Sequence, residues 1–303
     1  MDPAYLGALA PGELAARAER ARVRLRRCLL CPRQCRVDRS VGQLGECRTG
    51  ARARVASAGP HYGEEAPLVG RGGSGTIFFA GCNLACVFCQ NHELSHLCRG
   101  REQEPAELAR TMMELQEMGC ENINFVSPSH VVPQILAALV LAAEQGLRLP
   151  VVYNTGGYDS LSTLRLLDGV VDIYMPDMKY SDDRVGELLS GVPDYVERNR
   201  AAVREMHRQV GVLELDRRGV ARRGLLVRHL VLPDGQAGGE EVFRFIASEL
   251  SADTYVNVMD QYHPAYRAER YGEISRPPTA IEYRAAVEQA RKAGLWRLDG
   301  SAT

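Results

Sequence analysis

Short apolar segments alternate with segments of helical spacing after residue 75, and this alternation limits the possible folds more than any other feature. We predict strands at 76–80, 123–126, 151–153, 171–175, 225–232 and 255–259. Helices are predicted between them near 104–118, 131–144, 160–167, 181–209, 239–250 and 280–293, with a hairpin insertion at 211–224. Six strands that alternate with helices favour an α/β fold with a parallel sheet or a partial barrel.

Length and composition indicate an ordinary globular protein. The 303 residues are 45% hydrophobic and 25% charged, which excludes intrinsic disorder, collagen and a pure coiled coil. The longest apolar run, 135–143, is far shorter than the roughly 20 residues that span a bilayer, so no membrane partner is expected. A net charge of −1 gives no general attraction for nucleic acid, and the arginine-rich segment 12–27 is interpreted as a solvated amphipathic helix.

Nine cysteines give the strongest chemical signal, because seven of them lie in two tight groups. A secreted disulfide framework would follow a signal peptide and would space its cysteines for cross-links. The N-terminal residues show no such signal, so we expect metal binding in the reducing cytoplasm. The remaining two cysteines, Cys98 and Cys120, are predicted to be ordinary buried thiols.

The second cysteine group is a C-x3-C-x2-C run formed by Cys82, Cys86 and Cys89, directly after the first predicted strand. Three thiolates this close can hold three corners of an iron–sulfur cube and leave one iron open. A structural zinc site or a ferredoxin cluster normally needs a fourth ligand. Cys98 is the nearest candidate for that ligand and would close the site.

The first cysteine group places four thiols, Cys28, Cys31, Cys35 and Cys47, within twenty residues. Four thiolates predict a closed site, and the spacing does not decide between zinc and an auxiliary [4Fe–4S] cluster. A purely structural role for this second metal centre is an open alternative. We assign residues 1–70 to an arginine-rich helix and this Cys-rich module, and residues 71–303 to the barrel with its C-terminal helix.

Polar residues lie on the later strands or just after them. A parallel barrel has its active site at the carboxyl ends of its strands. Asn154 ends the third strand, Asp177 follows the fourth, and Arg228 and His229 lie side by side in the fifth. Because neighbouring strand residues point to opposite faces, either Arg228 or His229 must face the barrel interior. Simpler interpretations are a turn at Asn154, a salt bridge from Arg228 to Asp177, and a packing role for His229.

Lys179 follows the fourth strand and is one of only two lysines among the 37 basic residues, the other being Lys292. The remaining basic residues are arginines. A lysine at a strand end in such a chain suggests that a compact ammonium group is required there.

The run of Cys82, Cys86 and Cys89, with Phe88 before the last cysteine, resembles the motif of the radical SAM superfamily. Residues 75–277 are similar to the branch that contains pyruvate formate-lyase activating enzymes. The resemblance implies a partial (β/α)6 TIM-type barrel. It also implies a [4Fe–4S] cluster whose open iron chelates S-adenosylmethionine (SAM), with reductive cleavage of SAM to a 5′-deoxyadenosyl radical that abstracts hydrogen.

The same resemblance implies roles for residues near SAM. It assigns cofactor contacts to Asn154, Asp177, Lys179, Arg228 and His263, with Arg228 paired to the SAM carboxylate. The family usually has a Gly-Gly-Glu stretch after the second strand that holds the SAM amino group. This chain instead has the segment 127–130, in which Ser127, Ser129 or a backbone carbonyl is a candidate substitute and His130 occupies the place of the acid.

The sequence therefore predicts a radical SAM enzyme of the activating type, with a reductant such as flavodoxin or ferredoxin. The expected partner is a glycyl radical protein, and modification of a small molecule or peptide by the same radical is the alternative within enzymes. The alternative from another class is a non-catalytic iron–sulfur or zinc protein that carries electrons or acts as an adaptor.

Overall fold

The structure is a computed structural model that describes residues 2–300. Within that range nine strands form one sheet. The strands are β1 (Ala53–His61), β2 (Ser74–Phe79), β3 (Arg101–Gln103), β4 (Ile123–Val126), β5 (Val151–Thr155), β6 (Ile173–Pro176), β7 (Glu214–Leu215), β8 (Ala221–Leu230) and β9 (Tyr255–Met259).

Six of these strands are parallel and follow the order β2-β4-β5-β6-β8-β9. They are the six predicted strands, so the predicted α/β fold with a partial parallel barrel is confirmed. β7 pairs antiparallel with β8 around a turn at 216–219, which confirms the hairpin insertion. β1 and β3 were not predicted. β1 pairs antiparallel with β2, and β3 pairs antiparallel with β1 at the edge of the sheet.

Helices cover the outside of the sheet, and most begin where the sequence predicts them. The predicted helix 160–167 is shorter in the structure, because only Leu161–Leu164 is helical and turns follow it. The helices are α1 (Ala4–Leu9), α2 (Glu13–Val23), α3 (Ala66–Val69), α4 (His92–Ser95), α5 (Pro105–Glu117), α6 (Val132–Glu144), α7 (Leu161–Leu164), α8 (Asp183–Ser190), α9 (Tyr195–Val210), α10 (Gly239–Phe245, continued by a π-helical turn Ile246–Leu250) and α11 (Ala280–Lys292).

The N-terminal residues pack onto the barrel through α2, which lies against α6. The apolar face predicted for the arginine-rich helix is buried, with Leu14 and Ala21 fully inaccessible. Further along, β1 joins the main sheet. The division of the chain at residue 70 stays a prediction.

The short helix α3 closes the N-terminal end of the barrel. It follows β1, whose last residue His61 pairs with Ser74 at the start of β2. Leu68 of α3 is fully buried in an apolar cluster formed with residues on the inner faces of the barrel strands. The other members of that cluster are Val152, Ile173, Met175, Leu213, Ala221 and Leu226. Segment 62–69 is therefore the floor of the barrel interior.

Among residues 2–300, none of the helices combines the length and the apolar character needed to cross a lipid bilayer.

We expect Leu68→Ala to lower the free energy of unfolding by about 2–5 kcal/mol, because it leaves a cavity in a packed cluster. Leu188→Ala, on the exposed side of α8, is the matched control and should change it by less than about 0.5 kcal/mol. Urea denaturation followed by circular dichroism measures both. Equal effects for the two variants would contradict the assignment of α3 as the barrel floor.

Candidate active site

One cavity of about 590 Å³ lies inside the barrel and brings the predicted residues together. Cys82, Cys86 and Cys89 line it, as do the polar residues from the later strands: Asn154, Asp177, Lys179 and Arg228. The cysteine loop begins just after β2 ends at Phe79, which places it at the carboxyl ends of the parallel strands. This is the end at which parallel barrels hold their active sites, and the volume is typical of a ligand pocket.

Each sulfur of the C-x3-C-x2-C run has a polar neighbour. The Cys86 Sγ lies 3.0 Å from the hydroxyl of Ser190, and the Cys89 Sγ lies 3.1 Å from the hydroxyl of Ser95. The backbone N–H of Leu84 donates to the Cys82 Sγ at 3.4 Å. Donors around thiolate sulfurs orient the ligands and tune the reduction potential of a bound cluster.

Burial makes these thiols hard to ionise without a metal. It raises the pKa of Cys82 to about 12, with the neighbouring Cys86 adding to the effect. It also raises the pKa of Cys86, although the ammonium of Lys179 opposes the shift. A bound metal ion would hold the thiolates deprotonated. Within residues 2–300, no three or more His, Cys, Asp or Glu side chains form a ready-made ion site, so ligation by the cysteines stays a prediction.

Asp177 is the centre of an ionic cluster on the cavity wall. Its Oδ2 accepts from Lys179 Nζ at 2.6 Å, and its Oδ1 accepts from Arg228 Nε at 2.9 Å. Arg228 also donates through Nη2 to the Asn154 Oδ1 at 2.7 Å. Asn154, Asp177 and Arg228 lie on or next to β5, β6 and β8, so the cluster links three adjacent strands.

The charges in this cluster stabilise one another. Burial alone would raise the pKa of Asp177, but the adjacent Arg228 guanidinium and Lys179 ammonium outweigh it and hold that pKa below its ordinary value. Burial alone would lower the pKa of Lys179, but the Asp177 carboxylate outweighs it and the pKa is raised. All three groups are therefore charged at neutral pH.

Two residues of α9 form hydrogen bonds to the backbone beside the ionic cluster. The hydroxyl of Tyr195 donates to the carbonyl oxygens of Gly156 and Asp177 at 2.9 and 3.1 Å. Asn199 Nδ2 donates to the carbonyls of Gly157 and Asp177 at 3.0 and 2.9 Å. A side chain at Gly157 would collide with Asn199 and with the Asp177 carbonyl, so this close approach requires glycine.

The segment after β4 places its polar residues in different directions. Ser127 lines the cavity, with a φ of 58° that is unusual for a residue with a side chain. Ser129 is buried, and its hydroxyl lies 3.0 Å from that of Thr155. His130 is turned towards β2, where its Nε2 lies 3.0 Å from the Ala80 carbonyl oxygen. Of the three side chains predicted to replace Gly-Gly-Glu, only Ser127 faces the cavity.

The two remaining histidines of the prediction occupy different environments. His229 is buried against Phe243, and its Nδ1 lies 2.7 Å from the Met178 carbonyl oxygen, which is the packing role predicted for it. His263 is exposed beside Gln90, with 3.1 Å between its Nδ1 and the amide nitrogen. Gln90 lines the cavity and His263 does not, so His263 lies behind its rim.

The first cysteine group gathers around a separate small cavity. Cys28, Cys31, Cys35 and Cys47 line it together with His130. Backbone hydrogen bonds from Gln34 to Cys31 and from Arg36 to Cys28 shape the turns that present the thiols, and a Cβ at Gly45 would lie 2.7 Å from the Cys35 Sγ. These thiols fit a metal of the predicted kind without deciding which one.

The two cysteine groups are packed against each other. The Cys47 carbonyl oxygen occupies the space that a side chain at Gly81 would need, immediately before Cys82. Arg33, between Cys31 and Cys35, donates to the Asn83 carbonyl oxygen at 2.9 Å. The first group therefore forms part of the support for the loop that carries the second.

Cys98 and Cys120 lie outside both groups. Cys98 is half-buried and is not among the residues lining the central cavity, so it is not positioned as a fourth ligand there. Cys120 is buried against the backbone of Gly75.

Several residues of the site are not predicted from the sequence. Ser95 and Ser190 contact the cysteine sulfurs from α4 and from the end of α8. Glu64 and Glu65 line the cavity from the segment after β1. Serine is common in helices and loops, so Ser95 and Ser190 carry no signal of their own in the sequence. The only sequence signal for Glu64 and Glu65 is that two adjacent acids precede a short apolar helix.

Comparisons with known proteins identify the family of the chain. A family model described as the Radical SAM superfamily matches residues 76–213. An uncharacterised protein of Methanocaldococcus jannaschii is 32% identical over 296 residues, which cover 94% of this chain and 80% of that protein. The chain belongs to the radical SAM superfamily. The predicted resemblance to the radical SAM superfamily is thus confirmed, and membership implies a [4Fe–4S] cluster and SAM.

Several solved structures also match part of the chain at low sequence identity. A radical SAM methyltransferase from Sphaerobacter thermophilus is 17% identical with a TM-score of 0.47, covering 73% of this chain and 64% of its own. SuiB from Streptococcus suis is 13% identical with a TM-score of 0.48, and the chain spans 46% of it. A domain of a pyruvate-formate lyase-activating enzyme from Bacteroides vulgatus is 13% identical with a TM-score of 0.37, covering 65% of this chain and 91% of the domain.

The residues of the cavity fit the cofactors of a radical SAM protein. Three thiols supply the soft ligands that an iron–sulfur cluster requires. Side chains of both charges lie beside them, as suits a ligand that carries a carboxylate, an amine and a sulfonium group. Gly156 lines the cavity next to the cysteine loop, and a side chain there would lie 2.8 Å from a methyl group of Leu84 in that loop.

The buried His229 predicts a loss of stability in mild acid. Burial lowers its pKa to about 4, while the unfolded chain keeps an ordinary value of about 6.5. Between these values the unfolded state binds a proton that the folded state does not, so stability falls as the pH falls. At roughly 1.4 kcal/mol per pH unit the loss reaches up to about 3 kcal/mol. Urea denaturation at a series of pH values should show it.

His229→Asn keeps a donor for the Met178 carbonyl and removes the titration. The variant should lose less stability than the wild type between pH 6.5 and 4. An identical acid dependence for both proteins would contradict the buried neutral state of His229.

Proposed function

We propose that this protein reductively cleaves SAM and uses the resulting radical to abstract hydrogen from a substrate. The observation that carries the proposal is that the three cysteines share one cavity with the Asp177 ionic cluster at the carboxyl ends of the parallel strands. A cluster held by three thiolates keeps one iron open for a ligand. A closed electron-transfer centre has no need of such a cavity next to its cluster.

Under this proposal the residues of the site have two roles. Cys82, Cys86 and Cys89 hold the cluster, and the donors on their sulfurs orient them. When bound and reduced there, a [4Fe–4S] cluster would supply one electron for the cleavage of SAM to methionine and a 5′-deoxyadenosyl radical, which would take a hydrogen atom from the substrate to give 5′-deoxyadenosine. The Lys179 ammonium and the Arg228 guanidinium, fixed by Asp177, are positioned to bind the methionine end of SAM, and Asn154 fixes the guanidinium.

A glycyl radical protein is the proposed hydrogen donor class, in keeping with the resemblance of residues 75–277 to activating enzymes. The first cysteine group is proposed to hold a second metal, zinc or an auxiliary cluster, that supports the cysteine loop through Arg33 and Cys47. A cytoplasmic flavodoxin or ferredoxin is the proposed reductant.

The decisive assay uses anaerobic protein reconstituted with iron and sulfide, reduced with dithionite in the presence of SAM. We expect 5′-deoxyadenosine and methionine, measured by liquid chromatography. Cys82→Ala and Cys86→Ala should abolish their release, whereas Cys120→Ala, at a cysteine outside both groups, should not. Release of neither product from wild-type protein with an intact cluster would contradict the proposal and favour a non-catalytic metal protein.

Metal analysis of the Cys28→Ala variant tests the second centre. The wild type should hold about four irons and one zinc, or about eight irons, and the variant should lose the zinc or about four of the irons. Equal metal content in the two proteins would contradict a metal at the first cysteine group.

The two lysines provide a matched pair for testing the ionic cluster. Lys179→Met removes one of the two cations that hold Asp177, so the remaining carboxylate draws Arg228 more tightly and away from SAM. We expect SAM cleavage to fall tenfold or more, since hydrogen bonds to charged groups contribute about 1.5–3 kcal/mol. Lys292→Met, at an exposed position on α11, should leave it unchanged. Equal rates for both variants would remove Lys179 from the site.

A further inference from the structure

Two glutamates line the central cavity at the end opposite the cysteines. Glu64 and Glu65 follow β1, whose last residue pairs with Ser74 at the start of β2, while Cys82 follows the end of β2. Their side chains are 8% and 4% exposed. They therefore lie on the floor of the barrel, immediately before the helix α3 that closes it.

The carboxylate of Glu65 is only partly satisfied. Its Oε1 accepts from Asn257 Nδ2 at 2.9 Å and lies 4.0 Å from Arg228 Nη1. Its Oε2 is buried without a hydrogen-bond partner. Asn124 Nδ2 donates to the hydroxyl of Ser74 at 3.1 Å, while its Oδ1 is a second buried acceptor without a partner among residues 2–300. Buried acceptors without donors are costly, so this floor lacks donors that a ligand can provide.

The cavity also has fewer positive than negative side chains. Four carboxylates line it, but only two side chains with a permanent positive charge, Lys179 and Arg228. Both of these cations make their close contacts with Asp177. Among the described residues, Glu64 has only His61 within ion-pair distance, with 3.2 Å between the Glu64 Oε1 and the His61 Nδ1, and a histidine is charged only when protonated. The floor is therefore short of positive charge and of hydrogen-bond donors together.

An ammonium or a guanidinium group satisfies both requirements, because each carries a positive charge and at least three N–H donors. We propose that Glu64 and Glu65 form a subsite for a cationic group of the substrate, so that the enzyme selects substrates carrying a primary amine or a guanidine. This assignment rests on the proposed function, which places SAM on the open iron at the cysteine end. The floor is then free for the substrate.

The test uses the reconstituted, unreduced protein with SAM bound, so that no cleavage occurs. Isothermal titration calorimetry measures the binding of n-butylammonium, its neutral counterpart 1-butanol, n-butylguanidinium, and a blocked peptide with a central lysine. We expect at least one of the three cations to bind more tightly than 1-butanol. Selective binding of the peptide would indicate that the cationic group belongs to a side chain of a protein substrate. Binding of the small cations would indicate that it belongs to a small-molecule substrate.

Glu65→Gln keeps the acceptor for Asn257 and removes the charge, and Glu64→Gln is the second variant. Each should weaken cation binding at least tenfold, while Glu117→Gln, an exposed acid on α5, should not change it. Cation binding that is no better than that of 1-butanol, or that is unaffected in both floor variants, would overturn the proposal. So would displacement of the cation by SAM, which would make the floor a SAM subsite.

These outcomes are separate from those of the cleavage assay. If the wild-type protein releases 5′-deoxyadenosine but shows no Glu65-dependent cation binding, the proposed function stands and the proposed subsite is rejected. Glu65-dependent cation binding in protein that does not cleave SAM keeps the cation site and contradicts the proposed function.

Discussion

The carboxylate of Asp177 links the charged side chains in the interior of this barrel. It accepts from Lys179 and Arg228 with separate oxygens, and Arg228 extends the link to Asn154. Burying any one of these charges alone would cost several kcal/mol, so each requires the others. The result is a fixed pair of cations, Lys179 just after β6 and Arg228 on β8, that line the same cavity as the three cysteines. The geometry of any ligand bound there depends on this carboxylate.

The arrangement of the cavity follows from the direction of the strands. Because the six strands are parallel, the cysteine loop and the strand-end residues meet at one end, and segment 62–69 closes the other. The cavity is thus polarised, with thiols at one end, an ionic cluster on the wall and two glutamates on the floor. The first cysteine group lies outside the cavity, where Arg33 and Cys47 contact the loop that carries Cys82, Cys86 and Cys89.

Much of this could be predicted from local sequence. The six parallel strands follow from apolar segments bounded by turn residues, and Asp177 and Lys179 were placed by their position after a strand and by the scarcity of lysine. β1 was missed because its sequence, rich in alanine and glycine and containing Pro60, lacks the apolar alternation of a strand. Glu64 and Glu65 were missed because their place on the floor depends on long-range packing of α3.

The central claim is that a cluster on Cys82, Cys86 and Cys89 offers an open iron to SAM. Electron paramagnetic resonance of the reduced, reconstituted protein, recorded with and without SAM, tests it most directly. Cys28→Ala protein should be measured in parallel, so that any second cluster does not obscure the signal. We expect a [4Fe–4S]⁺ signal whose g values shift when SAM is added. A signal that SAM leaves unchanged would show a closed cluster and contradict the account.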